Sequence, residues 1–298
     1  MWWPSNKSVP PSSCSIFEGV LIKMTDVTLP IDYFGAVIVE PRRHPALKFV
    51  IQNVFDRTPV GTKVIWFHGT TTDRWAREVQ QEVGKRLELR CCGKANLRIT
   101  DYNALLTSER FWESIPFQKI LIFQTDSMIL ARNRNAIMPF LQYSYIGAPC
   151  WNMGNLKNGG FSLRDKAFCL DVVRHTRHIP GNEDVKFTAQ LYNKNFRYVI
   201  PTEKDAMEFS LEYIYSGDGD SHPFGCHKPW RIKRPIDWNR LVRMYPELQT
   251  LHSLQMPQKP TNVCAKRQTA SCKMKRRATM PQIRNGRVVR TCKNAKKK

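Results

Sequence analysis

Between Tyr33 and Leu254, short apolar runs alternate with longer segments of mixed polarity. The apolar runs predict strands, and the mixed segments between them predict helices. The predicted strands are Gly35–Glu40, Lys63–Phe67 and Lys119–Phe123. The predicted helices are Pro45–Phe55, Trp75–Leu87, Tyr102–Trp112 and Asp165–His175. Strands that alternate with helices in this way are typical of an α/β layer fold.

The two ends of the chain differ in composition from this central part. Residues 1–30 contain Pro4, Pro10, Pro11 and several serines before any strand-like run, which predicts a flexible N-terminal arm. Residues 255–298 carry fourteen Lys and Arg and no Asp or Glu, so they supply +14 of the formal net charge of +22. This tail has no aromatic residue and no hydrophobic period, which predicts disorder. We therefore expect one α/β domain over residues 31–254.

The basic tail leaves several interpretations open. It is a solubilising segment, a nuclear or nucleic-acid address, or a contact for an anionic membrane surface. No apolar stretch reaches the roughly 18 residues of a spanning helix, and no secretory leader is apparent. The nine cysteines show no CxxC spacing, which favours a reducing compartment. These features predict a soluble intracellular protein of the cytoplasm or nucleus or, if viral, of the virion.

Ligands of open α/β sheets gather beyond the carboxyl ends of the strands, so residues there are the first candidates for a site. Glu40 and Arg42 follow the first predicted strand, His68 follows the second, and Gln124 and Asp126 follow the central one. The guanidinium of Arg42 suits phosphate oxygens, although a solvated surface arginine fits equally well. The carboxylate of Asp126 is either a ligand for Mg²⁺ or Mn²⁺ or a helix cap.

A glycine pair lies further along the chain. Gly159 and Gly160 allow the backbone to approach a ligand closely, although a simple turn explains them as well. Ser162 and Arg164 follow, and we expect them to open a helix whose first amides bind an anion.

The remaining candidates are acidic, aromatic and imidazole side chains. Either carboxylate of Glu183 and Asp184 is suited to deprotonate a hydroxyl, or the pair is an acidic first helical turn. His227 is flanked by glycine and proline, so we expect it on a loop, as a metal ligand or phosphate donor. Trp151 and Trp230 offer flat surfaces for stacking, although burial is the commoner fate of tryptophan.

Taken in order, these motifs resemble an uncharacterised glycosyltransferase-like domain family of giant viruses and bacteria. The resemblance covers about residues 33–232, and its late motifs look like those of β-1,4-galactosyltransferases. It rests on Val37–Arg42, Trp66–Gly69, Asp101–Leu106, Phe111–Trp112, Ile122–Asp126, Tyr145–Pro149, Asn158–Arg164, Asn182–Val185 and Gly225–Trp230. The resemblance implies a GT-A type nucleotide-diphospho-sugar transferase fold, with a Rossmann-like mixed sheet flanked by helices. The implied reaction is inverting transfer of a sugar to an acceptor hydroxyl.

The resemblance also implies roles for individual residues. Asp126 and His227 match metal ligands for Mn²⁺ or Mg²⁺, and Gly159 and Gly160 match a sugar-binding loop. Asp184 matches the base, and Glu183 beside it binds the acceptor. The full donor-binding set is Glu40, Arg42, His68, Tyr102, Asn103, Gln124, Asp126, Gly159 and Gly160. The acceptor-binding set is Trp151, Phe161, Arg164 and Trp230.

Two positions depart from the pattern of the family. The usual metal motif has two aspartates around one residue, and Met128 stands where the second is expected, which predicts weak or absent metal binding. Ser144 stands between Tyr143 and Tyr145, where members of the family often have aspartate.

Two other functions stay open at the level of sequence. A nucleic-acid-binding or packaging protein would use the basic tail and keep the α/β domain as a silent scaffold. A metal-dependent phosphoesterase would use Asp126, Asp184 and His227 as ligands in another geometry. The transferase implies a nucleotide-sugar donor and a glycan, protein or small-molecule acceptor as partners, with nonspecific nucleic acid or an anionic surface on the tail.

Overall fold

A mixed six-stranded sheet is the centre of the fold. The computed structural model describes residues 29–150, 157–176, 181–193, 197–213, 222–232 and 234–256. Within them the large sheet consists of β1 (Phe34–Val39), β2 (Lys63–His68), β3 (Leu87–Cys91), β4 (Lys119–Phe123), β6 (Tyr145–Pro149) and β7 (Lys157–Asp165). A small second sheet consists of β5 (Ser127–Ile129), β8 (Ser210–Leu211) and β9 (Gly225–His227).

Helices cover the sheets and connect their strands. They are α1 (Leu47–Arg57), α2 (Asp73–Val83), α3 (Ile99–Leu106), α4 (Glu109–Ser114), α5 (Lys166–His175), α6 (Glu183–Leu191), α7 (Glu203–Phe209), α8 (Pro235–Met244) and α9 (Glu247–Ser253). Two short 3₁₀ segments occupy Arg134–Phe140 and Pro229–Arg231. None of the described helices is long and apolar enough to span a membrane.

The strand order of the large sheet is β3-β2-β1-β4-β7-β6. The strands β3, β2, β1 and β4 run parallel, whereas β7 is antiparallel to both β4 and β6. Because β7 enters from the edge where β4 ends, its first residues lie beyond the carboxyl end of β4. The register pairs Phe123 with Phe161, so Gly159 and Gly160 lie at that same edge.

Apolar side chains cover both faces of the large sheet around its central strands, which explains why β1, β2 and β4 are nearly continuous hydrophobic runs. One buried cluster joins Ile38, Trp66 and Leu121 to α1 and to the small sheet. The other joins Val37, Ile65 and Ile122 to α4, α5 and α6. The alternation of neighbouring residues between clusters is the period-two geometry of a strand with two buried faces.

The predicted fold class is confirmed, since the structure is a Rossmann-like mixed sheet flanked by helices. The prediction that His227 lies on a loop is wrong, since His227 is a buried residue of strand β9. Three further local predictions are wrong. The segment Trp75–Leu87 ends as a helix at Val83 and leads into the short strand β3. The segment Tyr102–Trp112 is two helices, because Ser108 caps a new one by accepting from the Phe111 amide.

The third error concerns the glycine pair, which was predicted to form a loop before a helix. Gly159, Gly160, Ser162 and Arg164 all belong to strand β7. The following helix α5 begins at Lys166, with the Asp165 carboxylate accepting from the Phe168 amide. No helix N-terminus therefore lies at Ser162 or Arg164.

Candidate active site

A cleft of about 230 Å³ opens at the carboxyl ends of β1 and β4. Five of the residues predicted to bind a donor line it, namely Glu40, Arg42, Tyr102, Gln124 and Asp126. Asn96, Leu97, Arg98 and Ile99 form the opposite wall. The cleft therefore lies where α/β sheets usually bind ligands.

Glu40 holds the guanidinium of Arg42 at one side of the cleft. The Arg42 Nε and Nη2 atoms donate to the two Glu40 carboxylate oxygens at 2.8 Å each. The Arg42 amide also donates to Glu40 Oε1 at 2.9 Å. Glu40 is buried while the Arg42 side chain is 59% exposed, so a buried carboxylate orients a solvent-facing cation.

Asp126 and His227 meet because of the small sheet. Strand β9 pairs antiparallel with β5, and this register sets His227 opposite Ser127, the neighbour of Asp126. His227 Nε2 lies 3.2 Å from Asp126 Oδ1. The two side chains form an ion pair by distance, but Asp126 Oδ1 has no hydrogen-bond partner among the described residues.

The charges of both groups respond to this contact. Burial acts to raise the pKa of the Asp126 carboxyl, but His227 and Lys228 outweigh it and lower the pKa to about 2. Burial acts to lower the pKa of the His227 imidazole, but Asp126 and Glu212 outweigh it and raise the pKa. Asp126 is therefore an ionised carboxylate at neutral pH.

Lys228 adds a second cation beside Asp126. Its Nζ lies 3.4 Å from Asp126 Oδ2, and its amide donates to the Asp126 carbonyl at 2.9 Å. Lys228 has a φ of 45°, a left-handed conformation that is uncommon for a residue with a side chain and disfavoured before proline. Such strain is concentrated at functional sites.

The two glycines of β7 separate the two halves of the site. A Cβ on Gly160 would lie 2.3 Å from His227 Nε2. A Cβ on Gly159 would lie 2.6 Å from Glu183 Oε1 and 2.9 Å from the Asp184 Cβ. Only glycine at both positions allows the strand to approach the imidazole and the acidic pair together.

The side chains of Glu183 and Asp184 lie in different surroundings. Arg164 donates to both carboxylate oxygens of buried Glu183, at 2.6 and 3.0 Å. The half-buried Asp184 accepts from the Gly159 amide at 3.1 Å and from the Val185 amide at 2.9 Å. Each Asp184 oxygen therefore keeps a lone pair for a further proton.

Arg164 is fully buried among aromatic rings. Its Cζ lies 4.9 Å from the centroid of Tyr145 and 5.3 Å from that of Phe187. Burial acts to lower the pKa of the Arg164 guanidinium, but the neighbouring Glu183 carboxylate favours the cation, and the pKa of Arg164 is raised overall. The predicted contact of Arg164 with an acceptor is wrong, since no acceptor reaches a side chain without exposed surface.

The other acceptor predictions fare differently. Phe161 is fully buried and stacks with Phe209 at a centroid distance of 5.5 Å, so it belongs to the core and not to an acceptor site. Trp230 is half-buried, and its ring stacks with that of His252 at 5.0 Å. Trp151 lies outside the described residues.

Four of the nine donor predictions do not line the cleft, namely the two glycines of β7, His68 and Asn103. His68 is buried, with Nδ1 3.0 Å from the Gly69 carbonyl and Nε2 3.8 Å from Asp73. Asn103 Oδ1 accepts from the Glu183 amide at 3.2 Å, so Asn103 fastens α3 to the start of α6. Asn103 thus contributes to the position of the acidic pair instead of the wall of the cleft.

A larger hollow of about 980 Å³ lies elsewhere, between the 3₁₀ segment Arg134–Phe140 and α7. Phe140 and Phe224 line it together with Glu203, Asp205 and Glu208. It contains none of the candidate residues, and its acidic rim is unsuited to a diphosphate. We therefore assign the site to the smaller cleft.

The residues present fit a divalent cation in part. Within the described ranges no group of three or more His, Cys, Asp or Glu side chains is arranged to hold a metal ion. Asp126 and His227 are nevertheless paired. The buried Asp126 Oδ1 has no hydrogen bond among the described residues, and a bound cation would be a partner for it. Carboxylate and imidazole are suitable donors for Mn²⁺.

Sequence reasoning missed two residues of the site, Glu212 and Lys228. Glu212 is buried, and its Oε1 lies 3.2 Å from His227 Nδ1. The signal for Glu212 was a single acid in the apolar stretch that begins at Phe209. The signal for Lys228 was its position between His227 and Pro229.

A family model described as "Protein of unknown function (DUF5672)" matches residues 87–227. This match confirms the resemblance to a family without an assigned function, over a shorter stretch than residues 33–232. The distribution of that family and the galactosyltransferase-like character of the late motifs stay predictions. No curated protein sequence matches the chain.

Similar solved structures include several glycosyltransferases. The glycosyltransferase GlyE of Streptococcus pneumoniae TIGR4 has 11% identity and a TM-score of 0.46, over 76% of this chain and 65% of GlyE. The galactosyltransferase LgtC has 11% identity and a TM-score of 0.44, over 76% of this chain and 98% of LgtC. The chain thus spans less than two thirds of GlyE. It spans 53% of the bifunctional glycosyltransferase WbbM, at 9% identity and a TM-score of 0.44.

A synthase is similar as well. The 4-diphosphocytidyl-2C-methyl-D-erythritol synthase of Anaerococcus prevotii DSM 20548 has 6% identity and a TM-score of 0.38, over 52% of this chain and 81% of that enzyme. These proteins are what the chain is similar to, and we base its function on the geometry of the site.

Proposed function

We propose that this chain is a glycosyltransferase of the GT-A type, which moves a sugar from a nucleotide-diphosphate donor to an acceptor hydroxyl with inversion. The observation that carries the proposal is the meeting of a paired Asp126 and His227, a half-buried Asp184 carboxylate and a cleft lined by Arg42 and Arg98 at one edge of the sheet. A metal pair, a base and a phosphate-binding wall are the parts that this reaction requires.

The cleft suits one part of the donor. Its volume of about 230 Å³ is below the roughly 300–1,000 Å³ of pockets that enclose a whole ligand. It accepts the nucleoside portion, and the diphosphate extends towards Asp126. Arg42 and Arg98 line the cleft, and Lys228 lies beside Asp126, so cations are available along this path.

Asp184 is the general base in this proposal. Its carboxylate takes the proton of the acceptor hydroxyl while the acceptor oxygen bonds to the anomeric carbon. The bond from that carbon to the diphosphate oxygen breaks, and the nucleoside diphosphate leaves with the electron pair. The two amides of Gly159 and Val185 fix the Asp184 carboxylate for this step.

Asp126 and His227 would hold a divalent cation, either Mn²⁺ or Mg²⁺. Such a cation supplies charge neutralisation for the departing diphosphate. Lys228 adds a fixed positive charge 3.4 Å from Asp126 Oδ2. Glu183 is assigned a different role from the predicted one, because Arg164 occupies both of its oxygens. It anchors the start of α6 and thereby positions Asp184.

The test is turnover and binding of a panel of nucleotide sugars, with and without Mn²⁺. We expect Asp184→Asn to lower transfer by roughly 10²–10⁴-fold, because a general base is lost, while the Kd for the donor stays unchanged. Asp205→Asn is the matched control, since Asp205 lies in the first turn of α7 as Asp184 does in α6. A folded wild-type chain that binds no donor, or an Asp184→Asn variant with full activity, would contradict the proposal.

A further inference from the structure

The imidazole of His227 has more acceptors around it than it has protons. Its Nδ1 lies 3.2 Å from Glu212 Oε1. Its Nε2 lies 3.2 Å from Gln124 Oε1 and 3.2 Å from Asp126 Oδ1. A ring with two N–H groups at most cannot donate to all three.

Two oxygens in this cluster are buried without a hydrogen bond among the described residues. They are Glu212 Oε2 and Asp126 Oδ1, of which Asp126 Oδ1 has only the ion-pair contact with His227 Nε2 at 3.2 Å. An unsatisfied buried oxygen on an ionised carboxylate is costly, and natural structures rarely retain one without a reason. A cation shared by Asp126 Oδ1 and His227 Nε2 removes that cost for Asp126.

The small sheet places Glu212 beside His227. Strand β8 runs parallel to β9 and pairs Leu211 with Cys226, so the next residues along, Glu212 and His227, are neighbours. Their side chains are each 3% exposed. Water therefore does not compete for the contact, and the Glu212 carboxylate is a fixed hydrogen-bond acceptor for His227 Nδ1.

Gln124, and not Met128, presents an oxygen to His227. Met128 is buried in β5 and pairs with Cys226, so it has no access to the cleft. Gln124 Nε2 donates to the Tyr102 hydroxyl at 3.3 Å, which turns the carbonyl oxygen of the amide towards His227. The oxygens that meet His227 Nε2 therefore belong to Gln124 and Asp126.

The separations match those of neighbouring ligands on one ion. An octahedral Mg²⁺ has oxygen ligands at about 2.1 Å, so adjacent ligand atoms are roughly 3.0 Å apart. Both contacts of Nε2 are 3.2 Å. Gly160 leaves space beside the buried ring that a side chain would fill, because a Cβ at this position would lie 2.3 Å from Nε2.

We infer that Gln124 is a third ligand of a divalent-cation site with Asp126 and His227, and that Glu212 is a positioning residue that holds His227 through its Nδ1–H. The inference rests on the proposed function only where it assigns the cation to neutralise the diphosphate of the donor. A carboxylate on the second nitrogen of a metal-binding imidazole fixes the tautomer and the ring orientation, and its loss typically lowers metal affinity about 10–100-fold.

The experiment measures Mn²⁺ affinity without nucleotide, from the electron paramagnetic resonance signal of free Mn²⁺. Glu212→Gln keeps the shape and one acceptor oxygen but removes the charge, and Gln124→Met removes the ligand oxygen at similar volume. We expect each to weaken Mn²⁺ binding about 10–100-fold. Gln124→Glu adds a charge to the ligand set and should tighten it.

Asp237→Asn is the matched control, because Asp237 is a buried carboxylate of α8 that pairs with Arg234 outside the site. We expect it to bind Mn²⁺ as the wild-type chain does. Folded Glu212→Gln and Gln124→Met variants with wild-type Mn²⁺ affinity would overturn the inference. So would a folded wild-type chain that binds no Mn²⁺.

A measurement on the wild-type chain covers the case in which these variants do not fold. The ¹⁵N signals of the His227 imidazole should shift at Nε2 on titration with Cd²⁺ while Nδ1 keeps its proton. A shift at Nδ1 instead overturns the inference. Donor binding in EDTA separates the two proposals: if donors bind but Mn²⁺ does not, only the cation site fails, and if neither binds, both fail.

Discussion

At the scale of single residues, the two glycines of β7 determine how closely the strand approaches the side chains of the site. Each of them faces a different functional group, since Gly160 faces the His227 ring and Gly159 faces the acidic pair. Neither glycine has a positive φ among the described residues. Close approach of side chains, and not backbone freedom, is therefore the reason for glycine here.

Alanine at these two positions should separate the two halves of the site. Gly160→Ala introduces a Cβ 2.3 Å from His227 Nε2, so we expect it to lower Mn²⁺ affinity at least about tenfold, as for other disruptions around a metal ligand. Gly159→Ala introduces a Cβ 2.6 Å from Glu183 Oε1, so we expect loss of transfer with Mn²⁺ binding retained. Calorimetry with Mn²⁺ and a transfer assay on both variants check this. Equal loss of both properties in both variants would contradict it.

Arg164 and Glu183 show why charged residues are difficult to place from sequence. The resemblance implied that both bind the acceptor, and charged side chains are almost never fully buried unless they are paired. Their bidentate contact and the rings around Arg164 make burial possible. Nothing in the local sequence joins residues that are nineteen positions apart.

At the scale of elements, strand β7 decides the geometry of the site. Its sequence, with two glycines before a short apolar run, suggested a loop and a helix. The strand forms because β4 and β6 flank it and satisfy its backbone on both sides. This tertiary pairing overrides the weak strand preference of glycine.

The start of α3 is a second element that shapes the cleft. Asp101 accepts from Lys94 Nζ at 2.6 Å and from the Arg98 amide at 3.0 Å, and closes a capping box with Arg98. These contacts, that with Lys94 first, hold the pKa of Asp101 well below its usual value. The wall segment Asn96–Ile99 therefore depends on an ionised Asp101.

This arrangement predicts a dependence of stability on pH. Because the folded-state pKa of Asp101 is lowered, its contribution is present above the unfolded-state pKa of about 3.9 and is lost as pH falls towards the folded-state pKa. Asp101→Asn should lower the Tm at pH 7 and flatten the fall in Tm between about pH 4 and pH 2. Calorimetric scans across that range test it, with Asp56→Asn as a control on the exposed end of α1. If the Tm of Asp101→Asn fell with pH in parallel with the Tm of the wild-type chain, the prediction would be contradicted.

At the scale of the whole molecule, topology brings together segments that are far apart in sequence. The insertion of antiparallel β7 beside β4 puts the glycine pair next to Gln124–Asp126. The small sheet then brings His227 and Glu212 to the same place. A site assembled from four distant segments needs the complete domain.

The basic tail gives a prediction at this scale. Residues 257–298 lie outside the described residues, whereas Gln255 donates to the Thr125 carbonyl at 2.8 Å, beside Asp126. We expect deletion of 257–298 to leave transfer unchanged and to remove most salt-dependent binding of nucleic acid, since phosphate neutralisation by the tail is lost. Deletion of 255–298 should also weaken Mn²⁺ binding. Loss of donor turnover on deletion of 257–298 would favour the alternative function, a nucleic-acid-binding or packaging protein.

The sequence by itself determined the α/β class and the central strand Lys119–Phe123, because a continuous apolar run is buried in any such sheet. It also identified Asp126 as a candidate, because polar residues after buried runs lie at sheet edges. Asp184 was a candidate as one of two adjacent carboxylates, and His227 because glycine and proline flank it. Only the tertiary structure decided that Arg164 and Phe161 are core, that Glu212 faces His227 and that the Gln124 amide oxygen lies beside the same imidazole. These contacts join residues across strands, and pairing between distant strands is not encoded in local pattern.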